Sequence, residues 1–441
     1  MTRRVCVLLA VVGLLSAGPG SGQPPAELDR YGGWTGMSLA ATGHFRVARA
    51  DGRWCLADPE GRPFFSLGVN VVSFRADRVR GTNQSPYCEA AAAKHGRQSD
   101  WARAAVRRLR GWGFNTLGAW SDRVACQQGM PYTLLLDFSH RVAWREGQTF
   151  PDVFDPSFAR AARALAQRIC RPLAGDPWLV GYFTDNELRW GPDWRSEDSL
   201  FIEFLGLPDE AAGRQALLQF LQERYGSVER LNEEWRTRYD SFQEVGRTPQ
   251  AGSRIPEDDQ EGFLGLVAGR YFATVEEAVR AADPNHLILG CRFAGYAPGA
   301  VLEAMRDRVD VVSLNHYGER PPVESLREIH RVTGRPILVS EFSVRARDSG
   351  LPNSRGEGAL VDTQGERAAH AQRYLRHLLA LPMVVGYHWF QHCDQPAEGR
   401  FDGENSNYGL VTIADEPYAP LVAALTRLNT AVYAELQGRE E

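Results

Sequence analysis

Between residues 63 and 390 this chain presents the same alternation eight times: a short apolar run of strand type, then a longer segment with helical spacing of its apolar residues. Apolar strands separated by helices must bury both of their faces. A closed parallel barrel with its helices outside satisfies that demand for every strand and leaves no edge unpaired. The strand runs are 63–70, 114–120, 133–138, 178–187, 286–293, 310–317, 336–342 and 384–390. Helices are expected over 99–113, with Ser99 or Asp100 as cap, and over 154–173, 261–282, 298–306, 322–332, 363–380 and 418–436. Two stacked α/β domains would give a similar count, but no internal repeat or low-complexity linker divides the chain. The fold class is therefore α/β, a (β/α)₈ TIM barrel, with two additions. Residues 44–72 carry β-type runs around Asp51-Gly52 and Glu60-Gly61, which reads as an N-terminal β-hairpin closing one end of the barrel. Residues 196–245 read as a helical insertion after strand four, and the Gly-, Ser- and Arg-rich stretch 345–362 as an active-site loop.

The first residues are of a different kind. Arg3 and Arg4 precede an apolar run from Val5 to about Leu15, and small residues follow before Gln23. This reads as a signal peptide over 1–22, leaving 23–441 as a single catalytic domain that is secreted or periplasmic. Cys6 sits inside the apolar run, which argues against a lipid-modified cysteine. No later run approaches the roughly 18 apolar residues of a membrane span. Formal charge is −5, and about −7 without Arg3 and Arg4. The basic run 103–110, RAAVRRLR, is interleaved with Ala, Val and Leu at helical spacing, which places its arginines on a solvated face. Neither nucleic acid nor a membrane is indicated as a partner. Six cysteines remain, Cys55, Cys88, Cys126, Cys170, Cys291 and Cys393, an even number in an oxidising compartment. Their long, irregular spacing argues against zinc and predicts buried thiols with one to three structural disulfides.

In a barrel the C-terminal strand ends converge on one mouth. Those ends are crowded with polar and aromatic residues: Asn70 and Ser73, Trp120 and Asp122, Asp137, Asp185-Asn186-Glu187, Arg292, Asn315-His316-Tyr317, Glu341 and His388-Trp389; of these Asn70, Trp120, Asn186, Arg292, His316, Tyr317, His388 and Trp389, with Trp190 nearby, are expected to contact substrate. Glu187 after strand four and Glu341 after strand seven face each other across the mouth. Glycosidic cleavage needs such a pair, one carboxylic acid to protonate the leaving oxygen and one carboxylate to act on the anomeric carbon or on water; at about 5–5.5 Å the outcome is retention through a glycosyl-enzyme. The amide of Asn186 is placed to hold a sugar 2-hydroxyl, and the hydroxyl of Tyr317 to keep Glu341 ionised and aligned. Glu187 is expected to titrate toward neutrality beside its partner's charge and the apolar Phe183 and Trp190. Within 384–407, Trp389 can offer a flat face to a pyranose while His388, Asp394, Glu404 and Asn405 bond its hydroxyls. Alternatives there are Trp389 as core filler and Asp402, Glu404 and Asn405 as ligands of a structural calcium, although the run lacks the ligand spacing of a calcium hand. A zinc site of His316, His388 and His392 is the weaker reading, because two-glutamate hydrolysis needs no metal and no other cofactor.

At these residues the sequence resembles the retaining glycoside hydrolases whose barrels carry Asn-Glu after strand four and Glu after strand seven. More narrowly, it resembles the family 50 agarases, in FFSLGVNVV (64–72), GFNTLGAWSD (113–122), YFTDNELRWG (182–191), ILVSEFSVRARDSGLPN (337–353) and VVGYHWFQHCDQPAEGRFDGENSNYGLV (384–411). The resemblance implies an enzyme cutting β-1,4 linkages of agarose or its oligosaccharides, usually from an end, with Glu187 as acid/base and Glu341 as nucleophile. Two departures are visible. The family carries a β-rich, carbohydrate-binding-like domain before the barrel, whereas only about 40 residues separate Gln23 from strand one here. An aromatic or imidazole side chain commonly stands in place of Ser343. Other β-galactosides or β-glucans therefore stay open as substrates, as do an exo-acting β-galactosidase-like activity, a transferase using the same glycosyl-enzyme, and a catalytically silent carbohydrate-binding protein. The segment 225–239 resembles one that contacts a neighbouring subunit in β-galactosidases of the clan, which leaves a homo-oligomer open.

Overall fold

The computed structural model describes residues 27–142, 148–247 and 254–437. The expected signal segment 1–22, with Cys6, lies outside the described residues. A single sheet of nine hydrogen-bonded pieces runs through the molecule. Its two terminal pieces, Leu287–Ile288 and Phe293–Ala294, belong to one run, the predicted strand five. The first pairs in parallel with strand four (Gly181↔Leu287) and the second with strand six (Leu314↔Phe293), so the sheet closes on itself as an eight-stranded barrel. Between the two pieces the backbone turns through left-handed conformations at Gly290 and Arg292, with φ of 78° and 53°. The break stays hydrogen-bonded: Thr184 N–H donates to the Gly290 carbonyl at 2.9 Å, and Arg292 N–H to Ser313 Oγ at 2.9 Å.

The other barrel strands lie where the periodicity places them, Ser66–Val69, Thr116–Leu117, Tyr132–Leu135, Leu179–Phe183, Val312–Asn315, Ile337–Phe342 and Val384–Trp389. Each is shorter than its run, because the run also includes residues of the turns on either side of the ladder. The helices have local causes. Asp155 caps Pro156–Ile169 with proline at its first position, and a reciprocal Thr363/Glu366 box starts Gln364–Leu379. Helix Gln98–Gly111 begins one residue before the expected caps, after Arg97 and with no side-chain cap. Its Trp101, Ala105 and Leu109 are buried; of its arginines, Arg108 departs from the expected solvated face and pairs with the buried Asp415. A helix at Pro86–His95 escapes the periodicity because its CEAAAAKH core has no apolar stripe. The closing helix is two, Ala419–Thr430 and Val432–Gln437.

Two apolar clusters hold these layers. One lies between strands and helices; the other fills the barrel interior with Val180, Phe183, Leu289, Val311, Leu338 and Val385. The antiparallel hairpin Arg46–Ala50 and Arg53–Ala57 closes the N-terminal end, since Phe45, Leu56 and Phe64 join the interior cluster. The insertion forms helices Leu200–Leu205, Ala212–Tyr225 and Val228–Trp235. It is pinned to the long helix Glu257–Ala282 through the buried Asp259, which accepts from Tyr225 Oη at 2.6 Å and Trp235 Nε1 at 2.7 Å.

The cysteine expectation is corrected. All six are free thiols, on separate elements, and burial pushes Cys55 up to about 11 and Cys126 and Cys170 to about 12. Among the described residues no helix is long and apolar enough to cross a membrane.

Interior packing is tight at Gly68, where an added Cβ would lie 2.1 Å from the His388 ring. Gly68→Ala should therefore cost about 1–3 kcal/mol by overpacking, read as a lower denaturant midpoint; an unchanged midpoint would contradict this packing.

Candidate active site

The mouth is built from strained strand ends. Val71, Trp120, Asp137 and Glu187, which follow strands one to four, and Arg292, in the break of strand five, all adopt φ between 52° and 59°. Each costs roughly 1–2 kcal/mol for a residue with a Cβ. The ladder bonds on either side hold them there, and the turn swings each side chain to its place at the strand end. Asp185, fully buried, fastens the loop after strand three to strand four by accepting from Ser139 Oγ at 2.6 Å and from Tyr271 Oη.

A cleft of about 890 Å³ opens at this end and is lined by both glutamates. Their surroundings differ. Glu341 is buried and receives Tyr317 Oη at 2.5 Å on one oxygen and the Arg292 guanidinium on the other. Arg292 is itself fully buried, with Trp120 and Phe183 each 4.8 Å from its guanidinium carbon. Its Nε donates to Asn186 Oδ1 at 2.8 Å. Glu187 receives one bond, from Asn315 Nδ2 at 2.9 Å. Burial, and next the charge of Glu341, push its carboxyl up to about 7. One carboxyl is thus clamped between two donors, while its neighbour, raised to about 7, can exchange a proton near neutral pH.

Of the residues expected to bind substrate, Trp120, Asn186, His316, Tyr317 and Glu404 line the cleft with the two glutamates. His316 is oriented through Nδ1 by Tyr374 Oη at 2.9 Å. Glu404 pairs with Arg400 at 2.7 Å. The loop 345–362 reaches the same cleft through Glu357. Arg292 and Asn70 lie beneath the surface; Asn70 donates to the Ser340 carbonyl at 2.9 Å and ties strand one to strand seven.

Five expectations are corrected. Trp389 is fully buried between the strands and the helices, edge-on to Phe342, and donates through Nε1 to the Tyr408 carbonyl at 2.9 Å. His388 faces the barrel interior, bonded to Ser66 Oγ at 2.9 Å, and burial lowers its imidazole to about 3. Asp394 is consumed by the backbone of Gly409, Asn407 Nδ2 and Tyr418 Oη, so it holds its own loop together. Asn405 caps the N–H groups of Ser354 and Arg355 and joins two loops. Trp190 stacks on Phe272 at 5.6 Å in the core. For the first four the common cause is that strand eight and the loops around it face inward on both sides, so polarity there marks internal bonding; Trp190, after strand four, is instead covered by the long helix.

Conversely, Asn315 at the end of strand six holds Glu187 through its side-chain amide, a role that residue type and spacing alone do not reveal. Trp194, Phe390, Gln391, Arg400 and Phe401 also line the cleft. Phe390 ends the strand-eight run, whereas Trp194, Gln391, Arg400 and Phe401 come from loops without periodicity, where Trp194 and Phe401 give the one signal, an aromatic residue in a polar stretch.

No family model matches the chain. Two curated relatives from Vibrio sp. (strain JT0107) are similar over nine tenths of it. Beta-agarase B is 28% identical over 483 residues, covering 91% of this chain and 50% of the relative. Beta-agarase A is 30% identical over 469 residues, covering 90% of this chain and 47% of the relative. The chain thus spans about half the length of these relatives. The solved structure of an exo-beta-agarase superposes with a TM-score of 0.84 at 26% identity, covering 93% of this chain and 68% of that one.

The electrostatic coupling of the two glutamates is directly testable. Removing the charge in Glu341→Gln should bring the Glu187 carboxyl down from about 7, since Glu341 raises it and Arg292 lowers it. Carbon-13 NMR of labelled glutamate would follow this; an unmoved titration would mean that the two groups do not sense each other.

Proposed function

Because the chain is a relative of the family 50 agarases, we propose that it is a retaining glycoside hydrolase cleaving β-1,4 linkages of agarose or neoagaro-oligosaccharides. The observation that carries this reading is the asymmetry of the pair: Glu341 clamped between Tyr317 and Arg292, Glu187 raised to about 7 beside it.

In the first step Glu341 attacks the anomeric carbon while Glu187 gives its proton to the departing glycosidic oxygen, forming a glycosyl-enzyme. Glu187, now a carboxylate, takes a proton from water in the second step; the water oxygen attacks the anomeric carbon, and the bond to Glu341 breaks. Tyr317 and Arg292 then stabilise Glu341 as it leaves. With Asn186 Oδ1 accepting from Arg292, its Nδ2 remains as the donor to the sugar 2-hydroxyl. His316 and Glu404 supply further partners for hydroxyls, and the exposed face of Trp120 an apolar one. The basic-then-apolar start of the chain supports a secreted or periplasmic enzyme, where a polymeric substrate is met.

Incubation with a defined neoagaro-oligosaccharide, followed by time-resolved NMR, should reveal neoagarobiose with its β anomer first. The α anomer first would replace retention by inversion, and no cleavage would remove agarose as the substrate. Glu341→Gln should lower turnover by about 10³-fold or more with an unaltered fold; near-normal turnover would show that Glu341 is not the nucleophile.

A further inference from the structure

Two large aromatic side chains stand out in water beside the cleft, Trp194 and Tyr296, each 71% exposed. They come from the loops after strands four and five and line a side cavity of about 270 Å³. Trp194 and Ala294 line both this cavity and the cleft, so the two form one path. Isolated exposed apolar residues are ordinary, but two aromatic rings lining one concavity beside a reactive site form a patch that gains by being covered.

Trp194 is also held in place. The Arg195 guanidinium lies 4.5 Å from its ring centroid. That same guanidinium donates to the Glu187 carbonyl at 2.7 Å and to Asp193 Oδ2 at 2.9 Å. The indole is therefore braced against the backbone of Glu187 itself, and little motion has to be frozen when a ligand stacks on it. Acceptors for hydroxyl groups surround it in the same cavity, among them Asp193, Gln260 and Glu261. Flat apolar rings within a rim of carboxylate and amide oxygens match a pyranose, which has an apolar C–H face and a hydroxyl edge.

We propose that Trp194 and Tyr296 form a stacking platform for the galactan units on the leaving-group side of the scissile bond. The inference rests on the functional reading above. Its sidedness follows from chemistry: Glu187 protonates the leaving oxygen, so the loop carrying both Glu187 and Trp194 borders the departing chain, while Arg400, Phe401 and Glu404 from the strand-eight loop border the side of Glu341. The platform extends the site beyond the sugars at the reacting centre and sets the preference for longer chains.

The test is a length series of neoagaro-oligosaccharides with the wild type, Trp194→Ala, Tyr296→Ala and Trp194→Phe. Each alanine variant should raise KM by about tenfold for chains reaching past the reacting centre, with a much smaller rise for the shortest chain cleaved and kcat little changed. Trp194→Phe should recover most of the loss, because it keeps a ring. Both side chains are exposed, so thermal midpoints should match the wild type. An equal KM rise at every length, or none, in an active enzyme overturns the platform alone. A wild type that cleaves no member of the series overturns the functional reading and the platform with it.

Discussion

Strand five touches its two neighbours with two separate pieces of backbone, and the left-handed turn between them both closes the barrel and delivers Arg292 to its place beneath the mouth. An unclosed sheet would leave rows of unpaired backbone groups at strands four and six. Those are the strands whose ends carry Asn186-Glu187 and Asn315. The bond from Asn315 to Glu187 joins them across strand five. Closure thus fixes the spacing of the catalytic candidates as well as the stability of the ring.

Arg292 is the electrostatic counterpart of that geometry. A guanidinium with no exposed surface is costly unless its charge is matched, and Glu341 matches it while Trp120 and Phe183 take the cation against their faces. Removing one partner of such a buried pair generally costs about 3–5 kcal/mol, because the other is left uncompensated. The same contact that lets Arg292 be buried also fixes Glu341 in place. Glu187, with a single amide donor and the neighbouring charge, is left to hold its proton. Two residues of one chemical type thus sit in unlike surroundings, one clamped by two donors and the other raised by burial and a neighbouring charge.

The insertion after strand four and the loops after strands seven and eight add reach to this centre. Arg195 links Trp194 to the carbonyl of Glu187, and Asn405 links the two loops on the other side. Many of the polar residues in these loops bond one another. Asp394, Asn405 and Asn407 do so almost entirely, which is why chemical type alone misassigns some of them to substrate.

The sequence by itself determined the barrel, the closing hairpin, the helical insertion and the position of two glutamates at the ends of strands four and seven. Each rests on a local rule: an apolar strand must be covered on both faces, and in a parallel barrel every strand end points to one mouth. The glutamates were legible because a strand end fixes position without knowledge of contacts. Only the tertiary structure decided which way the side chains of a doubly buried strand face, so His388 and Trp389, adjacent and equally apt for a sugar, prove to be an interior residue and a core residue. It also decided that the cysteines stay apart, and that Trp194 and Phe401, in loops without periodicity, meet the cleft. Burial, pairing and the sharing of hydrogen bonds are properties of neighbours in space, and no spacing along the chain encodes them.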